Sequence, residues 1–277
     1  MGRKRAMTSE QAKEVRQRGH EDAKEFAIRL GIGREFRSDP QAKKDVIDTQ
    51  GLSYSVKSGV KKWQIFLYGK KRFENNTEFQ ATNFGQIFLD CINSFPELFS
   101  DYQKKKEESK LKLQSSIRKL SEKLQDKKVL RFFLSKSLFN SNEVDFLVVK
   151  QGEYFHVFER DEVLDAFSEN LTVTTSKARM RGQYDDQKVV FKFEGKTIGE
   201  IEMRNDSEVH YREVKFWLHK ALSLELLMKK IPLLAEYETR NIRLYSKSRG
   251  ETRDVTGSKR RIDAFRKQLE GGGKADG

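Results

Sequence analysis

The stretch Lys43-Lys44-Asp45-Val46-Ile47-Asp48, a turn at Gln50-Gly51, and then Tyr54-Ser55-Val56-Lys57-Ser58-Gly59 decides how this chain is read. Two short apolar runs, 45–47 and 54–57, flank a glycine turn, the pattern of two strands joined as a hairpin. In such a hairpin a carboxylate on one strand and a lysine on the next converge on a single point. A third apolar segment, 63–68, follows closely and extends the expected hairpin-like core.

Upstream, residues 8–30 have helical spacing. Thr8 and Gln11 suit a capping box, Ala23, Phe26, Ala27 and Leu30 share one face, and Gly31 and Gly33 end the run. Downstream, a helix is expected over 85–93 and a long lysine-rich one over 101–134, where Leu113, Ile117, Leu120 and Leu124 recur at helix-packing intervals. That helix either connects two lobes or packs on the body of its own domain. The second half turns strand-like at 144–149, 154–158, 189–193 and 198–203, with turns at Gln151-Gly152 and Glu194-Gly195. Helices are expected at 161–170 and 214–230, the latter stopping at Pro232.

The pattern predicts an α/β fold, a central mixed β-sheet flanked by helices, with an additional α+β region. The expected division is a core over 1–100 that carries the candidate site, a helical connector over 101–135, an α+β region over 136–270 and a disordered tail over 271–277.

Composition narrows the partners. With 55 Lys+Arg against 42 Asp+Glu the net charge is +13, which favours a polyanion, while 36% hydrophobic residues, 20 of them Phe, suffice for a substantial core. No apolar run reaches the length of a membrane-spanning helix and the first residues, GRKRAMTSEQ, are charged, so the expectation is a cytoplasmic protein without a membrane partner. Cys91 is the only cysteine, which excludes an intramolecular disulfide framework and thiolate-rich zinc; buried packing is its expected role. His20, His156, His210 and His219 show no paired spacing for zinc or a Ser-His relay. The sequence also has no phosphate-binding glycine loop, so no nucleotide cofactor is expected.

Asp45 and Lys57 suit phosphodiester chemistry. Asp45 can bind Mg2+, which takes oxygen ligands and retains waters, and Lys57 can orient or activate an attacking water. The segment resembles the PD-(D/E)xK superfamily, the restriction-endonuclease-like nucleases. In these an acid precedes an apolar strand, and a second acid and a lysine lie one residue apart on the next. Lys44-Asp45-Val46-Ile47 matches the first half and Ser55-Val56-Lys57 the second, with Ser55 standing where a Glu or Asp is usual. The resemblance implies Asp45, Ser55 and Glu21 as metal-site candidates, because these nucleases often carry a glutamate on a preceding helix. Glu21 and Glu25 lie one turn apart on such a helix, and either can supply the carboxylate that Ser55 lacks. Gln64, with Tyr68 four residues on, has the pattern that some members place near the metal and the phosphate.

The cluster 200–212 ends in a polar loop with Arg204, Asn205, His210, Tyr211 and Arg212, side chains suited to guanine, adenine and phosphate. Together with Lys177, Arg179 and Arg181 it is the expected DNA-reading element, in a region that loosely resembles the C-terminal part of some type II restriction enzymes. Lys259-Arg260-Arg261, like Arg179 and Arg181, is a candidate for phosphate contacts. The implied function is Mg2+-dependent, sequence-specific hydrolysis of double-stranded DNA by a homodimer, two-fold symmetry in the site being matched by two-fold symmetry in the protein. The rivals are a structure-specific or repair nuclease and a non-catalytic DNA-binding protein with a decayed metal site.

Overall fold

The computed structural model describes residues 9–33, 36–176, 184–247 and 257–271. In chain order the elements are α1 (Ser9–Arg29), β1 (Arg37–Asp39), β2 (Lys44–Ile47), β3 (Ser53–Lys57), β4 (Lys62–Tyr68), α2 (Lys70–Glu74), α3 (Thr77–Ala81), α4 (Phe84–Asn93), α5 (Phe99–Lys104), α6 (Lys106–Gln125) and α7 (Lys127–Phe139). There follow β5 (Phe146–Gln151), β6 (Tyr154–Glu159), α8 (Arg160–Asn170), β7 (Thr172–Ser176), β8 (Lys188–Phe193), β9 (Lys196–Met203), β10 (Val214–His219), α9 (Lys220–Lys230), β11 (Leu233–Tyr237), β12 (Ile242–Tyr245) and α10 (Ser258–Gly271). The fold is α/β, with a mixed seven-stranded sheet and a separate antiparallel sheet of five strands.

The chain divides into two compact units, each assembled from separate stretches. The first comprises Met1–Val60, Leu134–Phe167 and Leu224–Gly277, and the second Lys61–Phe133 and Ser168–Ser223. The unit boundaries therefore do not follow a division at 100 and 136, and three of them fall inside α7, α8 and α9.

In the first unit the sheet runs β1-β2-β3-β5-β6-β12-β11. Strands β2 and β3 form the expected hairpin, with Val46 opposite Tyr54, and Gly51 takes the turn at φ 86°. The other neighbour of β3 is β5, paired in parallel. Leu147, Val148 and Val149 of β5 are all fully buried, as suits a strand covered on both faces. Ala23, Phe26, Ala27 and Leu30 of α1 pack on Val46, Tyr54, Val56, Phe146 and Val148. Phe26 meets Tyr54 edge-on and Tyr54 stacks on Phe146, both with ring centroids 5.3 Å apart. Helix α10 adds Ile262, Phe265 and Leu269 to this core. Of the candidate phosphate-binding run, Arg261 is committed to protein: it pairs with the buried Glu159 at 2.5 Å and with Asp161 at 2.7 Å.

In the second unit the antiparallel order is β4-β10-β9-β8-β7. The segment 63–68 therefore leaves the hairpin and pairs with β10. The reason is aromatic: Phe66 packs against Phe73, Phe88, Phe133 and Phe216. The expected helix over 214–230 is instead a strand followed by a helix. Val214, Phe216 and Leu218 are buried between β4 and β9, and helix α9 begins only after His219. The expected long helix over 101–134 is broken at Lys105 and again at Asp126, whose carboxylate accepts from the backbone N–H groups of Lys128 and Val129. Leu113, Ile117, Leu120 and Leu124 are buried where α6 packs on β7, β8 and α4, so this helix belongs to the body of its unit. Cys91 is buried, as expected. Thr8, Lys177, Arg179, Arg181 and the tail 272–277 lie outside the described residues, and with them the cap, basic-segment and tail expectations.

Candidate active site

Side chains alternate along a strand, so the core positions fix the others. Val46, Tyr54 and Val56 face α1, which turns Asp45, Ser55 and Lys57 to the opposite face of the sheet. There the three converge. Oδ2 of Asp45 accepts from the backbone N–H of Val56 at 2.8 Å and from the Ser55 hydroxyl at 3.3 Å. Nζ of Lys57 donates to the same hydroxyl at 2.7 Å. A carboxylate and an ammonium on adjacent strands thus share one oxygen between them. Ser55 is fully buried, whereas Asp45 and Lys57 are half-buried.

The flanks of this trio are rigidly built. Asp48 closes the hairpin turn: its Oδ1 accepts from the backbone N–H of Gln50 and of Leu52, and its Oδ2 takes the Tyr54 hydroxyl at 2.7 Å. Burial pushes the Asp48 carboxyl above its usual range against the pull of these donors. It pushes the Tyr54 phenol higher still, with help from the Asp48 charge. Lys44 pairs with Glu143 at 2.5 Å, and Lys43 donates to the Ser137 carbonyl.

The α1 acids go elsewhere. Glu21 is exposed and accepts from Gln17 at 3.2 Å. Glu25 receives Lys150 of β5 at 2.6 Å and Arg29 at 3.1 Å, while Asp22 takes the same Lys150 at 2.7 Å. Burial raises the Glu25 carboxyl, but Lys150 and Arg29 outweigh it and hold the group below its ordinary value. Burial lowers Lys150, and Asp22 and Glu25 carry it above its own. Glu21 and Glu25 make no hydrogen bond to Asp45, Ser55 or Lys57 among the described residues. Gln64 is on β4 in the second unit, exposed and opposite Trp217, and Tyr68 of the same strand stacks on Phe66.

The loop 204–212 is also in the second unit. Arg204 pairs with Asp206 at 2.8 Å and His210 with Glu213 at 2.8 Å, while Asn205 is partly exposed. Tyr211 packs among Phe95, Phe99 and Tyr102, donates to the Pro96 carbonyl at 2.7 Å, and is pushed by burial to a pKa of about 12. Arg212 donates to the Ile92 carbonyl at 3.3 Å and to Asn93 at 3.2 Å. Tyr211 and Arg212 therefore brace the loop against α4 and the segment that follows it.

One group at the site and one residue on the opposite face of the sheet escaped the sequence reading. The Val56 N–H carries no side-chain signal at all. Lys150 did carry one, a charge at the end of an apolar strand and in step with the core-facing Val148.

A hard cation finds oxygen donors here in Asp45, whose Oδ1 accepts no hydrogen bond among the described residues. Ser55 is closed to solvent and occupied by Lys57. Among the described residues no group of three or more His, Cys, Asp or Glu is arranged to hold a metal. Mg2+ is compatible with one carboxylate when waters and a substrate phosphate complete its shell, so Asp45 fits as a lone anchor. No protein-family model and no curated protein matches the chain. No helix among the described residues is long and apolar enough to cross a membrane.

Proposed function

We propose that the chain is a Mg2+-dependent endodeoxyribonuclease of the restriction-endonuclease-like kind, acting on double-stranded DNA as a type II restriction enzyme and as a homodimer. The observation that carries the reading is the meeting of Asp45 and Lys57 on the buried Ser55 hydroxyl, which puts one carboxylate and one fixed cation, each half-buried, side by side. Bound Mg2+ would supply Lewis-acid stabilisation of the phosphate. Lys57 is placed to orient the attacking water and to offset charge developing on the phosphate oxygens, and Asp45 to anchor the ion. The net charge of +13 supports a polyanionic substrate.

Two rivals stand beside this reading: a structure-specific nuclease and, because the site has a single carboxylate, a DNA-binding protein that does not cut. Supercoiled plasmid of known sequence and a branched or damaged duplex, each incubated with the full chain with and without Mg2+, separate the cases. Discrete fragments with Mg2+ support the proposal. Nicks confined to branched or damaged DNA point to a structure-specific nuclease, and retardation on a gel without cutting points to the binding protein.

A further inference from the structure

We propose that Ser55 is a positioning residue, which holds the Lys57 ammonium beside the Asp45 carboxylate and does not ligate a metal ion. The inference rests on the nuclease reading and assigns the position at which the chain departs from the resemblance. A hydroxyl has one proton and two lone pairs. Donating to Asp45 and accepting from Lys57 uses the proton and one pair. A metal would have to take the other pair at roughly 2.1 Å, in a place that solvent does not reach and beside an ammonium only 2.7 Å from the same oxygen.

Two cations sharing one neutral oxygen repel with nothing between them, so the Lys57 ammonium excludes the ion from that side. A carboxylate at position 55 would draw both cations. The serine instead passes a hydrogen bond from ammonium to carboxylate and fixes the spacing of the two groups that meet the phosphate. The ion is then held from the protein by Asp45 alone, and most of its shell comes from water and DNA. Free protein should accordingly bind Mg2+ weakly, and substrate should tighten it.

The test compares the full-length parent with Ser55→Ala and Ser55→Thr. Asp45 keeps its bond from the Val56 backbone in every variant, so the strand pair is preserved. The first readout needs neither metal nor DNA: brief acetylation with acetic anhydride, followed by peptide mass spectrometry of Lys57 against the other lysines. Ser55→Ala should label Lys57 several-fold faster than the parent, and Ser55→Thr should restore the slow rate. The second readout is cleavage kinetics. In Ser55→Ala kcat should fall about 10- to 100-fold from loss of orientation, with KM for DNA and the half-saturating Mg2+ concentration unchanged. A ligand role would instead raise the Mg2+ requirement while leaving kcat at saturating Mg2+ near that of the parent. That rise, or equal Lys57 labelling in parent and Ser55→Ala, would overturn the proposal. If the parent itself does not cut DNA, the nuclease reading fails, and the labelling comparison still decides whether Ser55 holds Lys57.

Discussion

The backbone N–H of Val56 donates to Oδ2 of Asp45 at 2.8 Å, so the carboxylate is fixed by the strand beside it and not by a side chain that substitution can remove. Asp45 is thereby held in one orientation before any ligand arrives, which under the proposed nuclease reading would lower reorganisation during reaction. Asp45→Asn keeps this bond and removes the charge. Cleavage by Asp45→Asn and by Lys57→Ala should fall at least about 100-fold each, with DNA affinity by gel retardation within about tenfold of the parent. Near-normal cutting by either variant would remove these residues from the site.

Tyr54 and Asp48 give a stability prediction independent of any activity. Tyr54→Phe keeps the stacked ring and leaves a buried carboxylate oxygen without its phenol donor. It should cost about 1–3 kcal/mol in denaturant unfolding. A change within error would show that water replaces the phenol.

The Asp22–Lys150–Glu25 cluster predicts a pH dependence. Glu25 is held below its unfolded value, so its contribution is present above the ordinary carboxylate range and is lost as pH falls through the lowered folded value. Lys150 is raised, so its contribution is present below the ordinary lysine range and is lost as pH rises through the raised folded value. Lys150→Met should therefore be least stable relative to the parent near neutral pH, and the gap should narrow toward acid as Glu25 protonates. Thermal melts from pH 3 to pH 9 read this directly, and a gap that does not vary with pH would mean that Lys150 matters only through its alkyl stem.

Gly199 of β9 lies against β10, where an added Cβ would come within 2.5 Å of Leu218 Cδ2 and 2.7 Å of the Trp217 carbonyl oxygen. The carbonyl belongs to the sheet ladder and cannot move aside as a flexible side chain can. Gly199→Ala should lower stability by about 1–3 kcal/mol through overpacking. A melting temperature equal to the parent's would mean that the sheet yields at no cost.

Arg212 separates bracing from base reading. Its guanidinium donates to the Ile92 carbonyl and to Asn93, so Arg212→Ala should lower the melting temperature and leave any cleavage pattern unchanged. Arg204 is itself mostly shielded and holds the exposed Asp206 through both Nε and Nη2, so it would have to give up this pair to read a base. Relaxed specificity in Arg204→Ala alone would assign it to a base, whereas relaxed specificity in Arg212→Ala would return the bracing residue to the reading surface.

What the sequence made legible was local. The hairpin could be read because both strands and the turn lie within fifteen residues, and α1 because Ala23, Phe26, Ala27 and Leu30 repeat with the helical period. The apolar residues of β10 mislead because Val214, Trp217, Leu218 and Ala221 also fit that period; pairing with β4 and β9, from distant parts of the chain, decides for a strand. The fate of 63–68 depended on Phe88, Phe133 and Phe216 in the same way. Within the site, the contact of Asp45, Ser55 and Lys57 follows from neighbouring strands. The diversion of Glu25 to Lys150 needed a partner more than a hundred residues away.

The parallel pairing of β3 with β5 also bears on how the chain comes to fold. Strand β3 carries Ser55 and Lys57, yet its inner neighbour is made only after residues 58–145 have been synthesised, and the stretch 61–133 belongs to the other unit. On the ribosome the hairpin therefore waits with one edge unsatisfied, an open template for strand addition, until Phe146–Gln151 emerges. Non-local pairing of this kind slows folding, so refolding from denaturant should be slow and prone to association at high concentration. A chaperone that shields a bare strand edge would be most useful in that interval.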